Sequence, residues 1–210
     1  MLPAIAQMKL AAAMMSAAVG AGPAPVPVEL VPEVAEAAVE PVEVALYDEN
    51  LRVHAVVAIA HDGSTDEATT AELTHLFRCR QSNREHVIAQ KTLAMLADVA
   101  EHFPGKEIEF VSVYRATRSE GWESPHRGAR AIDFRVRGAD LRALRDYLWR
   151  TYTEVGIGWY PSEQFIHMDT RPGLHDTAWT FTNGDNHYHP YWAELARHPA
   201  PAKQERRPGV

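Results

Sequence analysis

The order of the predicted elements indicates an α+β domain with a small antiparallel sheet flanked by helices. Segments that alternate apolar and polar residues, as strands do, come in pairs along the chain. Segments with helical spacing lie between them, but without the regular strand–helix–strand repeat of a parallel α/β fold. The 210 residues, of which 46% are hydrophobic, are enough for one domain with extensions.

The elements follow one another from residue 43 onward. Strands are predicted at 44–46 and 53–59, around an acidic turn, and helices at 65–77 and 88–103. The second helix has the clearer apolar stripe, and Pro104-Gly105 ends it. The later elements are strands at 108–114, 131–136, 155–160 and 164–170, and a helix at 140–152 that Asp140 caps.

Both ends of the chain differ in composition from this domain. Residues 1–21 are predicted to be a signal peptide or an N-terminal membrane anchor, because Lys9 precedes an apolar run that ends in small residues. Residues 22–42 are rich in Pro, Ala and Glu, which indicates a linker. The domain proper is then expected at 43–192, outside the cytoplasm. Residues 193–210 are expected to be disordered.

Charge and cysteine content exclude two kinds of site. The formal net charge of −7 argues against a nucleic-acid partner. Cys79 is the only cysteine, so the chain can form neither an intramolecular disulfide nor a cysteine-based zinc site. A metal site in this chain therefore has to use histidine and carboxylate ligands.

Two separate segments carry such residues. One runs from Ser124 to Asp133 and includes His126, and the other contains His167 and Asp169. Alternation in the two predicted strands places Asp133 and His167 on faces that a sheet can bring together, with His126 reaching in from a loop. Two imidazoles and one carboxylate suit a catalytic zinc ion, which keeps one position open. The chain has 11 histidines, so a single histidine is weak evidence by itself.

At these residues the chain resembles the zinc murein endopeptidases of the YcbK (MepK) type, within the metallopeptidases that share the D-Ala-D-Ala carboxypeptidase and hedgehog fold. The shared pattern places a serine, a histidine, a glycine and an aspartate at Ser124 to Asp133, followed by His-x-Asp at His167. Upstream, the segment that ends in Arg115 resembles the family's Ser-Gly-Tyr-Arg, with Val113 in place of the usual glycine. The resemblance covers residues 43 to 171 in matching order.

The resemblance implies a zinc-dependent peptidase that cleaves the peptide cross-links of peptidoglycan, with the stem peptides as substrate, in the periplasm or elsewhere in the bacterial cell envelope. It also implies that Zn²⁺ is bound by His126, Asp133 and His167, and that Arg115 and Ser124 contact the substrate. An arginine suits this task because its guanidinium presents a planar, bidentate fork to a carboxylate.

The general base is not where better-known relatives have it, because Gln164 and Phe165 occupy the positions before the last ligand. Asp169 shares a face with His167 and can either act as the base or orient that histidine, and orientation is the preferred role. Glu163 can serve only if the turn at 161–162 folds over the metal. Two histidines near the C-terminus are a third possibility, His187 and His189.

Three hypotheses of function remain open. The first is the zinc peptidase. The second is a catalytically silent, zinc-containing domain that binds the cell wall. The absence of a general base at the two positions before the last ligand makes this second hypothesis credible. The third is an iron oxygenase that uses His167, Asp169 and a later histidine as a facial triad, but this leaves 124–133 unexplained. Trp159 and Tyr160 either line a substrate groove or pack in the half-buried part of the sheet.

Overall fold

The structure, a computed structural model, describes residues 40–198. The predicted leader at 1–21, nearly all of the predicted linker, and residues 199–210 lie outside the described residues. None of the helices within 40–198 is long and apolar enough to cross a membrane.

The described residues form eight strands and four helices. The strands are β1 Val42–Asp48, β2 Val53–Ile59, β3 Ile108–Ser112, β4 Ala131–Val136, β5 Val155–Tyr160, β6 Phe165–Thr170, β7 Thr177–Thr182 and β8 Asp185–Tyr188. The helices are α1 Glu67–Leu76, α2 Gln90–His102, α3 Leu141–Thr151 and α4 Tyr191–Arg197.

All eight strands form one sheet, in the order β2-β1-β3-β4-β6-β5-β7-β8. The pairs β1–β3 and β5–β7 are parallel, and the other pairs are antiparallel. The α+β class is thus confirmed, but the expectation of a small antiparallel sheet is wrong: the sheet is large and mixed. After the hairpin β1–β2 the chain returns to the other side of β1, where β3 pairs with it in parallel. After the hairpin β5–β6 it likewise returns to the other side of β5, where β7 pairs in parallel.

The helices pack on one face of the sheet and form the core with it. α2 packs against β1 and β2, and α3 packs against β4, β5 and β6. Ile132 and Phe134 on β4, and Ile166 and Met168 on β6, are fully buried in this core. Because side chains alternate along a strand, Asp133 and its neighbours of like parity point to the opposite face.

Helix α4 runs past the domain end expected at 192. It begins after Pro190, and Ala193 and Ala196 are buried. The Trp149 indole N–H donates a hydrogen bond of 2.8 Å to the Ala193 carbonyl, and the Arg197 guanidinium lies 3.8 Å from the Trp149 ring centroid. These contacts fix the last described helix to α3, so the folded chain extends to at least residue 197.

Candidate metal centre

One row of residues crosses five neighbouring strands. Asp133 on β4 pairs with His167 on β6, which pairs with Gly158 on β5; Gly158 pairs with Trp179 on β7, and Trp179 with Tyr188 on β8. Residues opposite each other in a sheet have their side chains on the same face. We call the face that carries this row the metal face.

His126 reaches the metal face from the short 3-10 turn Pro125–Gly128, which precedes β4. The turn ends at Ala129, whose left-handed backbone (φ 48°) redirects the chain into β4. On the other side, the pairing of β3 with β4 shifts register between Phe110 and Ser112, an irregularity that bends a strand locally. The bent end continues to Val113, whose carbonyl oxygen lies 2.5 Å from Nδ1 of His126.

Three ligand atoms converge at this point. Nδ1 of His167 lies 2.8 Å from Oδ1 of Asp133 and 3.2 Å from Nε2 of His126, and Nε2 of His126 lies 3.3 Å from Oδ2 of Asp133. Ligands at the usual zinc distance of about 2.0–2.1 Å are separated by about 3.3 Å at the corners of a tetrahedron. The three side chains are buried, with 1 to 5% of each residue exposed. Their donor types and spacing therefore fit a divalent metal ion.

The outer nitrogen of each histidine has a hydrogen-bond acceptor. Nδ1 of His126 donates to the Val113 carbonyl, and Nε2 of His167 donates to Oδ2 of Asp169 at 2.9 Å. These bonds orient both rings so that the inner nitrogen is directed at the site. Because Asp169 lies on the outer nitrogen of His167, it cannot share one ion with that residue as a facial triad requires.

Asp169 is itself held on both oxygens. The Arg171 guanidinium donates to Oδ1 at 2.7 Å and to Oδ2 at 2.9 Å, and Asp169 is fully buried. A Cβ at Gly156 would lie 2.2 Å from Asp169 Oδ2, so the glycine makes room for this pair. Arg171 was not singled out in the sequence, and the bidentate contact gives Asp169 the geometry of an orienting group.

The charges of the cluster shift its pKa values strongly. Burial by itself lowers the pKa of His167, but hydrogen bonds and charge from Asp133 and Asp169 outweigh it and raise that pKa to about 9. Burial raises the pKa of Asp169, but His167 and Arg171 lower it to about 2. Burial also raises the pKa of Asp133, yet the two histidines hold it well below its usual range. Without a metal, His167 is therefore an imidazolium between two carboxylates, and a bound divalent ion would take the place of the Nδ1 proton.

Arg115 borders the centre on the β3 side. One of its terminal nitrogens lies 3.6 Å from Oδ2 of Asp133, and its Nε lies 3.2 Å from Oε2 of Glu120, in a direction that makes no hydrogen bond. Both residues line a cavity of about 340 Å³ together with Cys79 and Ser112. No motif in the sequence marks Glu120, which the structure joins to the centre through Arg115.

The remaining predicted residues lie farther out. Glu163 is exposed in the turn between β5 and β6, and within 40–198 no hydrogen bond or ion pair joins it to His126, Asp133 or His167. Ser124 begins the 3-10 turn, and its carbonyl accepts the Arg127 N–H at 3.0 Å. Two exposed histidines complete the set, His187 and His189. The former pairs with Thr180, and its side chain therefore points away from the metal face.

Comparison with known proteins gives a family and several relatives. A family model described as peptidoglycan L,D-endopeptidase MepK matches residues 36–175. The probable peptidoglycan L,D-endopeptidase MepK of Haemophilus influenzae is 26% identical over 117 residues, which cover 50% of this chain and 62% of the relative. The peptidoglycan L,D-endopeptidase MepK of Escherichia coli is 29% identical over 120 residues, which cover 50% and 63%. The chain thus spans a little over three fifths of these relatives. No solved structure matches the chain significantly.

Proposed function

This chain belongs to the family of the peptidoglycan L,D-endopeptidase MepK, whose model matches two thirds of it, and we propose that it is a zinc-dependent endopeptidase that cleaves peptide cross-links of peptidoglycan. The observation that carries the proposal is the convergence of His126, Asp133 and His167, whose ligand groups approach one another in pairs to 3.3 Å or less. Arg115, which contacts Asp133, connects this centre to the cavity of about 340 Å³.

Zinc is the metal that best suits these donors. His126, Asp133 and His167 supply two imidazole nitrogens and one carboxylate, whereas calcium and magnesium prefer oxygen ligands alone. Three protein ligands leave one position of a tetrahedral ion open, as in hydrolytic zinc sites. When bound, zinc polarises a carbonyl group and lowers the pKa of a water molecule.

Arg115 is proposed to bind a carboxylate of the stem peptide. Its side chain is 38% exposed, and it lines the cavity beside Asp133. The contact with Glu120 is on Nε, and the contact of one terminal nitrogen with Asp133 is long, at 3.6 Å, so the terminal nitrogens can form the fork that a carboxylate accepts. Ser124, at the start of the turn that carries His126, is proposed to contact the substrate on the same side.

Asp169 is proposed to orient His167 rather than to accept the proton of the attacking water. Arg171 and His167 occupy its oxygens, and a pKa of about 2 makes it a weak base near neutral pH. Glu163 can take this role only if its turn moves. Glu120 lines the cavity and is separated from Asp133 by one guanidinium, so it is the first carboxylate to test as the base.

The substrate also bears on where the protein acts. Peptidoglycan lies outside the cytoplasm, so we place the protein in the bacterial cell envelope. The predicted leader and linker at 1–42 suit this location, because a Pro-rich tether holds a domain at a distance from its attachment point.

The test is digestion of purified sacculi by the full-length protein, followed by mass spectrometry of the released muropeptides. We expect cross-linked peptides to disappear, a chelator to stop the reaction, and added zinc to restore it. The matched control is His126→Ala, which removes one ligand. A wild-type protein that binds zinc but cleaves no muropeptide would overturn the proposal in favour of a silent wall-binding domain.

A further inference from the structure

Trp179 reaches the metal centre from two strands away because Gly158 lies between it and His167. A Cβ on Gly158 would come within 2.4 Å of the Trp179 ring, so the indole lies directly over the glycine. In this position its ring centroid is 5.1 Å from that of His167. Trp179 is 6% exposed, so the indole is held there by its surroundings.

Tyr160 follows Gly158 on the same face of β5. Its ring is stacked between two others, with centroids 4.5 Å from Phe165 and 5.0 Å from Phe181. The indole N–H of Trp179 donates to the Tyr160 hydroxyl oxygen at 3.3 Å. This bond leaves the Tyr160 proton available, and no acceptor for it occurs within the described part of the chain.

The hydroxyl remains a donor at neutral pH. Burial raises the pKa of the Tyr160 phenol, the Trp179 hydrogen bond opposes this, and the negative charge of Asp133 raises the pKa further. The phenol is joined to the centre through Trp179, which donates to it at 3.3 Å and whose ring centroid lies 5.1 Å from that of His167.

The positions of Tyr160 and Arg115 flank the ligands. Arg115 follows β3, the ligands Asp133 and His167 lie on β4 and β6, and Tyr160 lies on β5. Since these strands are neighbours in the order β3-β4-β6-β5, a peptide bound across the ligands has Arg115 on one side and Tyr160 on the other.

We propose that the Tyr160 hydroxyl donates a hydrogen bond to the carbonyl oxygen of the scissile peptide bond, and that Trp179 is the residue that positions it. This inference rests on the proposed peptidase function. When water adds to the carbonyl carbon, the C=O electron pair moves to the oxygen, and a fixed donor stabilises the charge there. The C–N bond then breaks, and the proton lost by the water goes to the leaving amine. Tyr160 keeps its own proton throughout.

The test is steady-state cleavage of a purified cross-linked muropeptide by full-length, zinc-loaded Tyr160→Phe. Loss of one oxyanion donor costs about 10²–10³ in kcat, and we expect this loss with KM near wild type. Binding of a phosphinate analogue of the cleaved bond should weaken by the same factor as kcat/KM, because the analogue carries the tetrahedral negative charge. Zinc content should stay at the wild-type value.

Two further variants separate the donor from a structural role. Tyr152→Phe removes a phenol oxygen that donates to Asp98 at 2.8 Å, away from the metal face, and should leave kcat unchanged. Trp179→Phe keeps an aromatic ring over Gly158 but removes the N–H, so kcat should fall, by less than in Tyr160→Phe, while KM and zinc content hold.

The outcomes distinguish this inference from the function on which it rests. A wild-type protein that cleaves muropeptides, with a Tyr160→Phe variant of unchanged kcat and phosphinate affinity, overturns the role of Tyr160 alone. A wild-type protein that cleaves none overturns the peptidase function, and the role of Tyr160 with it. An equal loss of kcat in Tyr152→Phe would show a general effect of phenol removal and would also overturn the assignment.

Discussion

Replacement of Asp169 by asparagine tests how the centre holds its metal. The carboxylate is fully buried between Nε2 of His167 and the guanidinium of Arg171. Asparagine keeps the shape and can still accept one hydrogen bond from His167. It removes the negative charge that balances Arg171 and that strengthens the bond to the histidine.

Two magnitudes follow from this geometry. Loss of the partner that orients a ligand lowers metal affinity by about 10- to 100-fold, or about 1.4–2.7 kcal/mol. Breaking a buried ion pair costs about 3–5 kcal/mol, and we expect the lower end because a quarter of the Arg171 side chain is exposed. At about 2–4 °C per kcal/mol, the metal-free Asp169→Asn protein should melt roughly 6–12 °C below wild type.

Competition with a chromophoric chelator measures the zinc affinity, and calorimetry measures the melting temperature. The matched control is Asp176→Asn, because Asp176 also pairs with an arginine, Arg197 at 2.6 Å, but contacts none of the three ligands. The control should lose some stability and keep its zinc affinity. Full zinc affinity in Asp169→Asn would refute the orienting role, and a rate loss of about 10²–10⁴ with full affinity would instead make Asp169 the base.

Three other substitutions or measurements test neighbouring parts of the centre. Gly158→Ala forces the Trp179 indole to move by about 1 Å, and overpacking of this kind costs about 1–3 kcal/mol, so wild-type unfolding in urea would contradict the indole position. Arg115→Lys should keep zinc but lower kcat/KM, since lysine offers no bidentate contact; an unchanged kcat/KM would remove Arg115 from the substrate site. Zinc binding at pH 7 should release about one proton from His167, whose pKa is about 9 without metal. Calorimetry in buffers of different ionisation enthalpy counts this proton, and a count near zero would contradict the imidazolium.

The sequence predicts the strands that carry the ligands better than it predicts the sheet. Alternation identifies β4 and β6, because their core residues recur at every second position. It does not identify β7 and β8, since β8 is exposed along its whole length and offers no apolar period. The signal for that hairpin is Asn183-Gly184, which joins the two strands with both residues at positive φ, as a two-residue turn of type I′ requires.

The residues of the site likewise fall into those that local alternation predicts and those that it does not. Asp133 and His167 can be assigned to one face from local alternation, and His126 follows from the turn before β4. Arg171 has the same parity as Asp169, but no motif marks their contact. Trp179 cannot be assigned, because its position depends on how β5 pairs with β6 and β7. Local pattern determines which way a side chain points along its own strand, whereas contacts across strands depend on the order of the whole sheet.

The two glycines of β5 explain why this order produces a metal centre. Gly156 and Gly158 both point to the metal face, where a Cβ would overlap the Asp169–Arg171 pair at the first and the Trp179 indole at the second. Glycine inside a strand costs about 0.5–1 kcal/mol in backbone entropy relative to alanine, so two of them weaken β5 in isolation. What they make possible is an ion pair behind His167 and an aromatic wall beside it, both from groups on neighbouring segments. The geometry of the centre therefore depends on the absence of side chains at Gly156 and Gly158 as well as on the ligands that β4 and β6 supply.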